Sequence, residues 1–383
     1  MNILCVTDNY HPAVNGIVTQ IDLLEAEFER QGHKMYIVAP STGKPFKDKE
    51  NVFRLPSLVN PARPLDRFCI PKSAKLTKLL LEKKIDVVHN HLFVAGFFGH
   101  SIAKKINAPM VATLHTPFTQ YVRWTVPFLQ PVAWPFLVPL YRWYFSFHDM
   151  AIAPSSRAGD ELKDAGIKTP IKVLYNGIVL KVFTEATDKL FREKYHIDKN
   201  IPLAVSVGRI DPGKNVDLII KATKIVLKEV PNLKLVIIGD GMLKKNMEEL
   251  VKKENLEGSI QFTGFLDRDL IASAFKASNM TLMASDTDVL STVMIEAMAA
   301  GNPLIAVNDK AMLPLVEQER NGFLTKKTPE DFARHMLILL KDKALAEKYG
   351  KESSAMSKNF TVEKTVNNLL QVYTELIKAR QAK

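Results

Sequence analysis

Cysteine is scarce in this chain of 383 residues: Cys5 and Cys69 are the pair, and they make no metal-type spacing with each other. A disulfide scaffold of this size needs more of them, so both thiols are expected to stay reduced, as in a cytosolic protein. Long apolar runs are missing too, since none reaches the ~18 uninterrupted residues that a spanning helix requires. The opening MNILCVTDNY carries no basic leader and only a short apolar stretch before Asp8, which fits a buried strand rather than a signal peptide. Neither a low-complexity tract nor a repeat of period ~20–50 residues is found. Disulfide-rich, membrane-spanning, disordered and solenoid classes are thereby set aside.

What remains is ordinary globular material, with 46% hydrophobic and 24% charged residues. The length exceeds what one core usually organises, so two domains of similar size are expected. The net charge of +11 is unevenly placed: residues 51–150 hold twelve Lys/Arg against four Asp/Glu. An anionic partner is expected there, either nucleic acid or an anionic membrane surface.

Short β-type runs followed by helical patterns recur along the chain. NILCVT, MYIVAP, DVVHNH and PMVATLH come first, then LAVSVG, LKLVIIGD, MTLMAS and PLIAV. This alternation implies right-handed βαβ crossovers and two parallel sheets. The pattern restarts near Pro202, and the polar stretch from about Asn176 to Asn200 reads as a hinge region. Doubly wound sheets hold ligands at the carboxyl ends of their strands, so the loops there carry the chemistry.

Two such loops stand out. After LAVSVG comes Gly208-Arg209-Ile210-Asp211-Pro212-Gly213-Lys214-Asn215, leading into a helical pattern. A glycine turn presenting Arg and Lys at a helix start suits a pyrophosphate: the Arg fork grips two oxygens, the Lys is a point charge, and the helix end favours negative charge. After MTLMAS comes Ser285-Asp286-Thr287-Asp288-Val289-Leu290-Ser291-Thr292, then Glu296, Ala297-Met298-Ala299 and Gly301-Asn302-Pro303. Asp288 sits at a strand-to-helix junction with Glu296 eight residues on, ~12 Å along the axis if the stretch is helical. One carboxylate could meet a sugar and the other a ribose, with helix-start amides between them for phosphate. Asp286-Thr287-Asp288 also spells an Asp-x-Asp of the metal-holding kind, but without further ligand candidates nearby no metal is expected.

Together these motifs resemble the GT-B superfamily of glycosyltransferases, in particular family 4, with its Arg-x4-Lys and its acidic residue followed eight positions on by Glu. The likeness extends to His11-Pro12 and Asn15-Gly16, GHKMYIVAP, Tyr175-Asn176-Gly177-Ile178, Gly239-Asp240-Gly241, Phe262-Thr263-Gly264-Phe265 and Asn321-Gly322-Phe323. It covers almost the whole chain. It implies an α/β GT-B fold of two Rossmann-like, doubly wound domains facing a central cleft. Residues 1–180 are expected to bind the acceptor and 181–360 the nucleotide sugar, with a C-terminal helix in 361–383 packing back toward the first domain.

Carried over residue by residue, the resemblance makes Arg209 and Lys214 ligands of the donor pyrophosphate and Glu296 a partner of the ribose hydroxyls. Val289, Leu290, Ser291 and Thr292 would line the donor, and the backbone near Phe265 would meet the base edge. Gly16 would let its loop approach the donor phosphate and the acceptor. Asp288 and His115 would contact the transferred hexose as catalytic residues. Three positions depart from the family pattern: Asp288 stands where Glu is usual, Ser291 where Gly is common, and Gly213 where a Glu often precedes the Lys. The resemblance implies a retaining, metal-independent reaction without a cofactor, the leaving diphosphate being stabilised by Arg209, Lys214 and helix amides.

The segment Pro117–Asp149 holds all three tryptophans, and Pro127, Pro131, Pro135 and Pro139 recur every four residues. Prolines at that density are expected to break a regular helix, leaving an apolar, partly irregular surface whose Trp and Tyr side chains favour a membrane interface. Upstream, PKSAKLTKLLLEKK sets Lys72, Lys75 and Lys78 around a leucine stripe, which suits either an anionic lipid surface or leucines on the core with lysines in water. Leu114-His115-Thr116, Tyr121-Val122-Arg123-Trp124 and Gly99-His100 resemble the diacylglycerol glucosyltransferase subgroup. The expected acceptor is therefore a lipid met by Tyr121, Trp124, Trp134 and Trp143. The donor is expected to be a UDP-hexose, the partner surface an anionic membrane rather than nucleic acid, and the location the inner face of the cell membrane. The alternatives are a mannosyltransferase using GDP-mannose on a phosphoinositide or glycan precursor, and a non-catalytic nucleotide-sugar or nucleic-acid binding protein.

Overall fold

The apolar runs picked out above become strands because each is short, β-branched and buried on both faces, as parallel sheets covered by helices require. In the computed structural model, residues 1–13, 15–43, 45–59, 67–91, 93–115 and 130–382 are described. They divide into two units, Met1–Gly177 with Val362–Lys383, and Ile178–Thr361.

The first unit contains β1 (Asn2–Val6), β2 (Lys34–Pro40), β3 (Val52–Leu55), β4 (Ser57–Val59), β5 (Arg67–Cys69), β6 (Val87–Asn90), β7 (Met110–Thr113), β8 (Met150–Ala153) and β9 (Ile171–Val173). Seven of these form a parallel sheet in the order β3-β2-β1-β6-β7-β8-β9, while β4 and β5 make an antiparallel ladder. Ile3 pairs with Met35 on one side and Val87 on the other, so the topological switch point lies between β1 and β6. The helix Val362–Gln381 belongs to this unit: Thr365 donates to the Tyr175 carbonyl at 2.9 Å, Arg380 grips both Asp149 oxygens at 2.8 and 2.7 Å, and Tyr373 is fully buried against Phe28.

The second unit contains β10 (Leu203–Val207), β11 (Lys234–Ile238), β12 (Ile260–Gly264), β13 (Met280–Met283), β14 (Leu304–Val307) and β15 (Gly322–Thr325). They form one parallel sheet, ordered β12-β11-β10-β13-β14-β15. Its switch point lies between β10 and β13. Leu235, Ile237, Leu282 and Ile305 share a core there with Ile219, Phe332 and Met336 of the covering helices.

Two expectations need correction. The polar stretch read as a hinge is packed from Ile178 onward into the second unit, through helices Lys181–Thr184 and Lys189–Tyr195. Phe183 and Phe191 are completely buried, each worth ~1.5–3 kcal/mol of transfer free energy, and the Phe191 amide donates to Ser273 Oγ at 2.9 Å. Two buried aromatics among many charges were enough to dock the segment. Pro127 lies outside the described residues, but Pro131, Pro135 and Pro139 do not break their helix, which runs from Gln130 to Phe145. Pro131 falls in the first turn, where no intrahelical donor is needed. Pro135 and Pro139 follow at four-residue spacing, so their missing N–H groups lie on one strip and the rest of the ladder is kept.

Candidate active site

In the second unit the Arg-x4-Lys loop follows β10 and the acidic loop follows β13, so adjacent strands deliver both to the switch point. The loops are stitched together by hydrogen bonds to main-chain carbonyls: the Asp286 amide donates to the Gly213 carbonyl at 3.1 Å, and the Asn215 side-chain Nδ2 donates to the Ala284 carbonyl at 2.8 Å. Gly213 has φ +85°, and a Cβ there would collide with the Thr287 side chain. This accounts for the departure at Gly213: Thr287 occupies the space a side chain would need. Neighbouring Gly239, with φ +137°, lets the end of β11 approach the Gly208 carbonyl, where any Cβ would clash. Gly208 itself faces open space.

The loop pairing brings Lys214 Nζ into a short ion pair with Asp288 Oδ1, both side chains mostly buried. Arg209, more exposed, reaches Asp211 at 2.8 Å. Asp286 pairs with Lys327 at 2.5 Å, so each carboxylate of the Asp-x-Asp already has its own lysine. Among the described residues no group of three His, Cys, Asp or Glu stands close enough to hold a metal ion.

The stretch after Asp288 turns helical only at Thr292, one turn later than a continuous helix would give, so Glu296 sits in the second turn of helix Thr292–Ala300. Ser291 precedes that helix without a side-chain cap, which leaves first-turn amides for a ligand to satisfy. Thr292, like Val289 and Leu290, is half-buried. Burial pushes the Glu296 carboxyl up to about 7 against the opposing pull of Arg268. Phe265, just past β12, is 77% exposed. Arg209, Lys214, Asp288 and Glu296 thus all lie at the carboxyl end of this sheet.

In the first unit the loop after β1 leads to Gly16, the first residue of helix Gly16–Arg30. Asn15 caps this helix, accepting from the Ile17 and Val18 amides at 3.0 and 3.1 Å, and a Cβ on Gly16 would meet nothing. The Asp8 carboxylate accepts from the Val94 and Ala95 amides at 2.8 and 2.7 Å; burial raises it to about 6 despite those bonds. His115 follows β7 and is joined by its Nε2 to His91 Nδ1 at 2.7 Å. Behind them His89 is held by Tyr373 and Thr113, both at 2.6 Å. Burial lowers the His115 imidazole to about 4 and His89 to about 3, with His91 also well down, so these rings are neutral at pH 7. His89 and His91 are not among the site residues expected from the sequence, although their alternation in DVVHNH is a period-2 signal placing both on one face.

Lys72, Lys75 and Lys78 are exposed on or beside helix Ala74–Leu81, while Leu80 is buried and Leu76 packs on the core. Trp143 is 52% exposed and lies against Phe97 and Phe147, with ring centroids 5.5 and 4.7 Å away. Tyr121 and Trp124 lie outside the described residues, as does the side chain of Trp134. Among the described residues no helix is long and apolar enough to cross a membrane.

Residues 14–182 match the family described as Glycosyltransferase Family 4, and residues 187–356 match Glycosyl transferases group 1. An alpha-monoglucosyldiacylglycerol synthase of Streptococcus pneumoniae is 29% identical, over 85% of this chain and 75% of the relative. A protein of the same name from Acholeplasma laidlawii is 26% identical over 98% of both chains. Among solved structures, a sucrose-phosphate synthase from Thermosynechococcus elongatus superposes with a TM-score of 0.78 at 20% identity, covering 99% of this chain and 100% of that one. Anabaena HepE in complex with UDP gives 0.77 at 19% identity, covering 98% and 100%.

Proposed function

The chain belongs to the GT-B glycosyltransferases, with a Family 4 domain followed by a group 1 domain, and from that premise we propose that it moves glucose from a UDP-sugar to a lipid acceptor such as diacylglycerol, with retention at the anomeric carbon. The observation that carries the donor side is the convergence of Arg209, Lys214, Asp288 and Glu296 at one sheet's switch point. Arg209 and Lys214 take the diphosphate, and the open amides at the start of helix Thr292–Ala300 take a further oxygen. Glu296 accepts from the ribose hydroxyls, the backbone beside Phe265 meets the base edge, and Asp288 faces the hexose. Lys214 is held by Asp288 until the donor arrives, so its charge is in place before the phosphate leaves. Preorganised charge of this kind costs no reorganisation during reaction, and no step calls for a divalent cation. His115 and the loop at Gly16 serve the sugar and acceptor.

The lipid acceptor is supported by the two glucosyldiacylglycerol synthase relatives, by the exposed lysines at 72, 75 and 78, and by the Trp143 aromatic cluster. Cations beside an anionic leaflet are worth ~1 kcal/mol each, which supports a peripheral position on the inner face of the cell membrane. The test combines sedimentation on anionic liposomes with a donor-by-acceptor screen read by mass spectrometry. Transfer of glucose from UDP-glucose to diacylglycerol is expected, with the protein in the pellet. A protein that stays in the supernatant and glycosylates only soluble sugars overturns the lipid assignment. Tighter calorimetric binding of GDP than of UDP overturns the donor assignment.

A further inference from the structure

His115 has two ring nitrogens, and Nε2 is already occupied by His91. A substrate approaching His115 therefore meets Nδ1, and what Nδ1 can do depends on which nitrogen carries the proton. Both rings are neutral, so one nitrogen of each donates and the other accepts, and the 2.7 Å contact is an N–H···N bond with a definite direction.

That direction can be read from the far side of His91. His91 Nε2 is buried and has no partner among the described groups, and the same is true of Gln20 Nε2. Both residues line one cavity of about 10 Å³, room for a single water molecule. The Gln20 amide nitrogen is a donor. If His91 Nε2 were also protonated, two donors would point at the same water and its own hydrogens would lack acceptors. If His91 Nε2 is a lone pair, the water accepts from Gln20 and donates one hydrogen to His91, and both buried side-chain nitrogens are satisfied. His91 then carries its proton on Nδ1, donates it to His115 Nε2, and obliges His115 to carry its own proton on Nδ1. The His91 ring packs on its neighbour: it lies 4.1 Å from His89, centroid to centroid, and His89 is held by Tyr373 and Thr113.

We propose that His91 is a positioning residue for His115: through its Nδ1–H it fixes the His115 tautomer, so that His115 presents a hydrogen-bond donor to the sugar. The role rests on the reading that His115 reaches the transferred hexose.

The experiment has three arms on the full chain. His115→Ala is expected to lower kcat about 100-fold; unchanged turnover sinks the parent reading rather than this one. His91→Phe keeps a ring but removes the donor, and is expected to lower kcat about 30-fold with donor KM within about threefold. His91→Asn, whose amide nitrogen can occupy the place of Nδ1, is expected to regain most of that loss. A fully active His91→Phe, or Asn and Phe variants equally slow, overturns the assignment. Nitrogen-15 NMR of the unmutated protein reads the tautomer whether or not the Phe variant folds. A proton on His115 Nδ1 is expected, and a proton on Nε2 overturns the proposal.

Discussion

The two switch points do opposite electrostatic work. At β10 and β13 the side chains are charged and paired, Lys214 with Asp288 and Arg209 with Asp211. At β1, β6 and β7 they are neutral imidazoles held by hydrogen bonds, and the Asp8 carboxylate is held by main-chain amides. The same topology thus supports two kinds of preorganisation. Charges that exchange one partner for another suit a diphosphate that arrives and leaves carrying its own charge. Neutral donors fixed from behind suit a sugar, whose hydroxyls reward direction more than charge. If this division holds, substitutions on the charged side change transition-state stabilisation most, and those on the neutral side act through geometry and stability.

The largest expected effect is at Lys214. Lys214→Ala removes the point charge and its pairing with Asp288, and kcat/KM for the donor is expected to fall about 100-fold, ~2.7 kcal/mol. Steady-state kinetics with saturating acceptor measure it, and an unchanged value removes Lys214 from the site. Next comes Asp288→Asn, which keeps the shape and loses the charge. Turnover is expected to drop about 30-fold while donor KM moves little. A variant that instead loses donor affinity at constant kcat would place Asp288 on the nucleotide and not on the sugar.

A smaller effect is expected from pH. Burial holds the Glu296 carboxyl near 7 in the free protein, and it must be ionised to accept from two ribose hydroxyls. As pH falls from 8 to 6 the ionised fraction drops from about nine-tenths to about one-tenth, so donor affinity is expected to weaken about tenfold. Calorimetry at the two pH values checks the sign, and Glu296→Gln, weaker throughout, should flatten the dependence. An affinity that rises on acidification contradicts the role.

Much of the second unit was legible in the sequence because its motifs are local: Arg209 to Lys214 and Asp288 to Glu296 are each read within a single loop and helix. The ion pair between Lys214 and Asp288 was not, since it depends on which strands are neighbours, as does the collision that keeps residue 213 a glycine beside Thr287. In the first unit His115 was visible from its strand end, but its support comes from β6, helix Gly16–Arg30 and the C-terminal helix. Tyr373 lies 284 residues from the His89 it holds, a separation no spacing rule spans. The proline-rich helix was misjudged for a physical reason: propensity penalises each proline, whereas four-residue spacing confines the lost donors to one strip.

The mildest change tests the neutral side. Tyr373→Phe deletes one hydroxyl from a fully buried ring that stacks on Phe28. The packing survives, and His89 Nδ1 loses its partner. Leaving one buried neutral nitrogen unpaired costs about 1 kcal/mol after the gain from burying less polar surface, a loss of about 2–4 °C in the melting transition of a unit this size. Because His89 keeps Thr113, the ring should stay in place, and donor affinity should be unchanged. A Tyr373→Phe protein that melts as before would show that the hydroxyl bond is not formed. One whose donor affinity fell as far as that of Lys214→Ala would break the division of labour between the two switch points, because a neutral bond deep in the first unit would then be doing the work assigned to a charge in the second.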